Sequence, residues 1–201
     1  MMLADSFLAG KRDSGPEPAP RRRTTIAMQT EMPPADVVPL VGLLNAGVPA
    51  ATITAELAAV WGTPLLSSPT WSFEATRYYE AEMGARLVRS FCAFAPRRPA
   101  LVDWKHAARR LETRWRLAGQ RQVNIDPGYV GLGGLFLAST KGGNHRLYLG
   151  AGIYGELTLL FHHGAWHTLP WTFPDFSGGG YTPFLDRCRS LLKNHIRNAN
   201  R

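Results

Sequence analysis

Five stretches of the chain concentrate ionisable, hydroxyl and aromatic side chains between apolar runs. Phe73 to Gly84 carries Tyr78, Tyr79, Glu80 and Glu82. Two carboxylates two residues apart share a face when the backbone is extended. There they would hold a divalent cation such as magnesium, or act as acid and base. Arg121 to Tyr129 places Asp126 at the end of a short strand, on an expected turn stiffened by Pro127 and Gly128. Ala138 to Leu149 combines Ser139, Thr140 and Lys141 with Gly142, Gly143, His145 and Arg146. Backbone amides of such a loop form an anion nest, and the cations add attraction for phosphate oxygens. Gly152 to Leu159 sets Glu156 and Thr158 inside a strand-like run, where inward-facing groups would line a pocket. Trp171 to Phe176 is an aromatic loop with one carboxylate, fit to wall a pocket or to stack on a base.

Together these residue types point to a small phosphorylated, nucleotide-like ligand. Lys141, Arg146 and Thr140 are the candidates for holding phosphate, and Tyr78, Tyr79 and Trp171 for walling the site. Asp126, Glu156 and His145 are the candidates for proton transfer, with Glu80 and Glu82 as candidate metal ligands. The residues fit binding and catalysis equally. Two rival readings use the same side chains: a nucleic-acid-binding module, and an interaction scaffold whose polar groups only satisfy turns. No Gly-x-x-x-x-Gly-Lys-[Ser/Thr] loop, dinucleotide fingerprint or Gly-x-Ser-x-Gly elbow occurs. His162, His163 and His167 invite a metal reading, but it is disfavoured: His163 and His167 would share a strand face only without the turn expected between them.

The elements that must position these blocks follow from hydrophobic period and punctuation. Val37 to Leu44 reads as a buried strand and 49–61 as a helix opened by Pro49. Thr63 to Phe73 is extended and interrupted by prolines. Leu87 to Phe94 is a strand, and Pro99 opens a helix running to about Ala118, with Trp104 and Trp115 as core residues. Gln122 to Ile125 is a short strand. Leu135 to Ala138 is apolar and fits strand or short helix; Arg146 to Leu149 and Ile153 to Phe161 are strands. His163-Gly164-Ala165-Trp166 makes a hairpin turn leading to Thr168–Thr172, and a last helix begins at Thr182-Pro183. The order strand–helix–strand–strand–helix–strand matches a ferredoxin-like split βαβ unit. The fold class expected is therefore α+β: this unit extended by antiparallel strands, with helices packed on one sheet face and a closing C-terminal helix.

Composition agrees with one such domain. The chain has 201 residues, 45% apolar and 19% charged, enough to bury a core. Residues 1–36 are proline-rich and charge-balanced, and read as a disordered tail, leaving 37–198 as the single folded domain. The formal excess of +8 lies in 37–201, with 18 basic against 10 acidic residues. Cys92 and Cys188 are far apart in apolar surroundings, as reduced buried thiols are. No apolar run is long enough for a membrane span and no leader pattern opens the chain, so a cytoplasmic location is expected.

Taken in order, the polar blocks resemble an uncharacterised bacterial and archaeal family, the domain of unknown function numbered 4416. The resemblance runs from about Val37 to about Leu192. It rests on Phe-x-x-Thr-x-Tyr-Tyr-x-x-Glu-Met-Gly (73–84), the helix carrying Lys105 and Glu112, and Arg-x-Val-Asn-Ile-Asp-Pro-Gly-Tyr (121–129). Ala-Ser-Thr-Lys (138–141), His-Arg-x-Tyr-Leu (145–149), Gly-Ile-Tyr-x-Glu-x-Thr-Leu (152–159) and Trp-Thr-Phe-Pro-Asp (171–175) complete it. The resemblance implies no established activity. Some members carry the label GTP-binding protein, yet this chain has neither a P-loop nor an Asn-Lys-x-Asp motif. It departs from the family pattern at Gly142-Gly143 and at Gly155.

Overall fold

The computed structural model describes residues 34–76, 79–84 and 86–201. The tail reading of 1–36 therefore falls almost wholly outside the described residues, and so does Tyr78. The elements in chain order are β1 (Val38–Asn45), α1 (Ala50–Trp61), β2 (Leu66–Ser67), β3 (Trp71–Ser72), α2 (Glu80–Met83), β4 (Val88–Ala93) and α3 (Leu101–Arg114). There follow the hairpin β5 (Arg116–Leu117) and β6 (Gln120–Arg121), then β7 (Val123–Gly131) and β8 (Gly134–Ser139). The chain ends with β9 (Leu147–Gly150), β10 (Ile153–His162), β11 (Ala165–Thr168), α4 (Pro174–Ser177) and α5 (Thr182–Ala199).

The main sheet runs β11-β10-β8-β7-β1-β4-β2, and every pairing in it is antiparallel. Its part β7-β1-β4-β2, with α1 and α3 as the two crossovers, is the ferredoxin-like order expected from the sequence. β8, β10 and β11 extend it beyond β7, and the class is α+β.

Strand alternation divides the core. Val41 and Leu43 of β1 face Ile53, Leu57 and Trp61 of α1 and Trp104, Ala108 and Leu111 of α3. These helix residues recur at steps of three and four, so each helix presents one apolar stripe. Val38 and Leu40 point the other way, into Phe91, Leu135, Leu159 and the α5 residues Phe184, Leu185, Cys188 and Leu192. Thus α1 and α3 share one face, while the closing helix covers the opposite face. Both faces of β1 are apolar because both are buried. Cys92 and Cys188 are free and buried. The His163-Gly164 turn between β10 and β11 has positive φ at both residues, 47° and 81°, the geometry a two-residue hairpin prefers.

Two local expectations are corrected. Asp126-Pro127-Gly128 is not a turn: β7 runs straight through it, paired with β1 from Val123 to Val130. The α3 helix stops at Arg114 rather than near Ala118, because Ala118-Gly119, both at positive φ, form the tip of the β5–β6 hairpin.

Candidate functional site

The site begins with a divergence between two strands. β7 pairs with β1 along nearly its whole length, but with β8 only from Gly128 to Gly131. β8 continues to Ser139 against β10 instead. The Val123–Pro127 edge of β7 and the end of β8 therefore splay apart. Ile125 sits at the centre of the unpaired edge. Its N–H donates to Glu112 Oε1 at 2.7 Å, and its carbonyl accepts from Lys105 Nζ at 3.0 Å. Two side chains of α3 thus take the place of a neighbouring strand, which answers for buried backbone groups that would otherwise be unpaired. Alternation makes Pro127 face the same way as Ile125, so its missing N–H costs no ladder bond. This is why a Pro-Gly pair survives inside a central strand.

The gap is a cavity of about 480 Å³, lined by residues of α3 on one sheet face and by Phe176 of α4 on the other. Its lining includes six cationic residues, Arg89, Lys105, Arg109, Arg121, Lys141 and Arg146, and four carboxylates, Glu82, Glu112, Asp126 and Glu156. Tyr79, Asn124, Ser139, Thr140, Thr158, Phe173 and Phe176 also line it.

The floor is a closed network. Arg89 projects from β4, 3% exposed, and its Nη2 meets Asp175 Oδ2 at 2.8 Å while Nη1 lies 3.5 Å from Asp126 Oδ2. It reaches Asp126 by crossing Gly42 of β1, whose register partners are Phe91 on one side and Asp126 on the other. A Cβ at Gly42 would sit 3.1 Å from Phe91 Cε1 and 3.4 Å from Arg89 Nη1, so the glycine is what lets the guanidinium pass. Asp126 also faces Lys105 Nζ at 3.5 Å and accepts from Asn124 Nδ2 at 2.7 Å. Arg121 donates to Asn124 Oδ1 at 2.7 Å and to Glu82 Oε2 at 2.8 Å, and lies 3.7 Å from Glu112.

Burial and charge oppose each other on this floor. Burial works against the Arg89 charge, but Asp175 and Asp126 outweigh it and the guanidinium pKa is raised. Burial pushes the Asp175 carboxyl up, with Arg89 pulling it back down. Glu112 is likewise raised by burial against the pull of Lys105 and the Ile125 amide. The Tyr181 phenol is pushed up to about 12 by burial and the Asp175 charge, and stays neutral to donate to Asp175 Oδ2 at 3.3 Å. Asp175 Oδ1 and Arg121 Nε are buried without partners among the described residues.

The mouth is built differently. Glu156, on β10, accepts from Arg146 Nε at 2.7 Å, and His145 Nε2 lies 3.2 Å from the same oxygen. Thr158 Oγ1 is 3.4 Å from the other oxygen. Arg146 Nη1 also holds the Lys141 carbonyl at 2.9 Å, which closes the β8–β9 loop into a ring. Lys141 and Thr140 are exposed on that loop. Arg109, one helical turn after Lys105, is exposed as well and pairs with no described residue.

The structure brings Asp126, Glu156, Thr140, Lys141, Arg146, Tyr79 and Glu82 to this one cavity. His145 stands behind Glu156, its ring stacked on Trp171 with centroids 5.4 Å apart, so these two flank the cavity rather than line it. The reading of Glu80 and Glu82 as an extended pair is corrected: both lie in α2, where residues two apart diverge around the axis. Glu82 reaches the wall and is held by Arg121, while Glu80 is not part of the lining. Among the described residues no group of three or more His, Cys, Asp or Glu is disposed to hold a metal ion. The Gly142-Gly143 loop is not a nest, since neither glycine takes positive φ and the Lys141 amide already donates to Ser139 Oγ at 3.0 Å.

Sequence reasoning missed Arg89 and Arg109. A lone arginine two residues before Phe91, the one charged residue in a mostly apolar strand, was the available signal for the first. Arg109 had none, because a basic residue on a helix is usually only solvated. Asp175 was noted as a carboxylate but not as the partner of a strand 86 residues away.

A family model described as "Domain of unknown function (DUF4416)" matches residues 38–191, and the chain belongs to that family. No curated protein and no solved structure matches the chain. Among the described residues no helix is long and apolar enough to cross a membrane.

Proposed function

We propose that this member of the DUF4416 family binds a small phosphorylated, nucleotide-like ligand in the cavity between β7 and β8. What carries the reading is the convergence of six cations and four carboxylates, drawn from α2, β4, α3, β6–β7, the β8–β9 loop and β10, on one space of about 480 Å³. That volume falls in the range of small-molecule sites. The exposed cations Lys141 and Arg109 meet the phosphate first, and Arg146 fixes the loop that presents Lys141. Charge-assisted hydrogen bonds of this kind contribute about 1.5–3 kcal/mol each. Tyr79, Phe173 and Phe176 supply apolar wall for the rest of the ligand.

Asp126 and Glu156 are the carboxylates placed for proton transfer to or from the ligand. Magnesium enters this proposal only with the ligand, held by its phosphates and by one or two of these carboxylates, as is usual for that ion. A cytoplasmic site of action belongs to the same proposal.

Calorimetric titration with a panel of nucleotides and sugar phosphates, with and without magnesium, tests it. At least one compound gives saturable heat, and the Arg109→Ala/Lys141→Ala double variant weakens it at least tenfold. Undiminished binding by that variant, or no heat across the panel, overturns the proposal.

A further inference from the structure

We propose that the second half of α5 and the tip of the β7–β8 hairpin form a docking groove for a nucleic-acid strand, bound through its phosphates. The groove is separate from the cavity described above. The last 20 residues hold five basic side chains and one acidic one, an excess of four out of the chain's formal +8. Three of the five, Arg189, Lys193 and Arg197, stand at i, i+4 and i+8 along α5, roughly 6 Å apart along the axis. No described acidic side chain pairs with any of them.

Like charges at i, i+4 destabilise a helix by a few tenths of a kcal/mol per pair. Attraction to the helix C-terminus offsets this in the last turn only. It accounts for Arg197, but not for Lys193, six residues before the end of the helix. An anionic partner running along the stripe meets all three.

Arg189 is held ready for that partner. Its guanidinium lies 3.6 Å from the Phe161 ring centroid, and its Nε donates to the Leu132 carbonyl at 3.0 Å. With the stem and Nε fixed, the two terminal nitrogens form a fork suited to phosphate oxygens. Beside it, exposed Leu132 and half-buried Ile196 line a shallow hollow of about 290 Å³ whose rim is Lys193 and Arg197. Such a hollow takes the apolar face of a sugar or base. A membrane surface fits less well, because this face lacks the row of Trp, Phe and Leu that interfacial helices insert.

Fluorescence anisotropy with a labelled uridine homopolymer of about 20 nucleotides, at salt between about 50 and 200 mM, tests the groove. Three phosphate contacts on a single strand give a slope of log K against log salt near −2, a roughly fifteen- to twenty-fold loss over that range. Lys193→Ala/Arg197→Ala, both exposed and outside the core, flattens the slope to about −0.7 with an unchanged melting temperature. Arg109→Ala/Lys141→Ala leaves the slope untouched, which separates this groove from the cavity. An unchanged slope in the Lys193/Arg197 variant, no binding at the lowest salt, or displacement of the RNA by phosphatidylserine vesicles at equal phosphate would overturn the proposal.

Discussion

On the floor of the cavity the charges are buried and paired with one another, whereas the mouth also carries exposed cations, Lys141 and Arg109. Arg89, Lys105, Asp126 and Asp175 come from four different elements and are locked by contacts of 2.8 to 3.5 Å. Lys141 and Arg109 sit in the open, on a loop and on a helix edge. The floor resembles a buried ion-pair network, where each member is costly to remove because its partner is left desolvated. The exposed side chains of the mouth have less to lose in stability, and on the proposed function they are where an incoming anion would be felt. On that reading the same residue types serve two purposes, and burial decides which.

The sharpest way to break this contrast is to remove Arg89. Arg89→Ala leaves Asp175, whose side chain is 3% exposed, without its counter-charge. A loss of about 3–5 kcal/mol in urea denaturation is expected. Lys141→Ala should stay within about 0.5 kcal/mol of the parent. Pairing Arg89→Met with Asp175→Leu should recover part of the loss, since it removes both buried charges. If Arg89→Ala were as mild as Lys141→Ala, the floor would not be the rigid half of the site.

Glycines give a second, smaller test of the same difference. Gly42→Ala forces a methyl to 3.1 Å from Phe91 Cε1 under the Arg89 guanidinium, with an expected cost of about 1–3 kcal/mol. Gly142→Ala on the mouth loop meets nothing nearer than Tyr154 Cζ at 3.4 Å and should be nearly neutral by thermal melting. Comparable losses at the two positions would mean that Gly42 is not what lets Arg89 reach Asp126.

How far the sequence revealed this arrangement depends on the range of the interactions. The order of β1, α1, β4, α3 and β7 was readable because alternation and helical period are local, and both survive in the folded chain. Asp126, Lys141, Arg146 and Glu156 stood out because charges beside apolar runs are conspicuous. Asp126-Pro127-Gly128 misled because turn chemistry is also local, while its tolerance in a strand depends on where β8 diverges. The bonds from Glu112 and Lys105 to the Ile125 backbone span 13 and 20 residues and leave no periodic trace. Glu80 and Glu82 misled for a simpler reason, since a two-residue spacing has opposite meanings in a strand and in a helix.

Glu112 offers the finest probe of the floor, through the pH dependence of stability. Burial raises its carboxyl above the ordinary glutamate value, although Lys105, the Ile125 amide and Arg121 all favour the charged form. The folded protein therefore keeps a proton that the unfolded chain has released. Stability from this group is full below the unfolded pKa and is lost as pH rises through the folded one. Glu112→Gln keeps an oxygen for the Ile125 amide but removes the titration. Relative to this variant, the wild type should lose stability as pH climbs through and just above the usual carboxylate range, seen as a falling difference in urea midpoint. Parallel curves would show that Lys105 and Arg121 cancel the burial of Glu112. A difference growing with pH would show that they win, so that the ion pairs and not the strand-completing hydrogen bond dominate at this position.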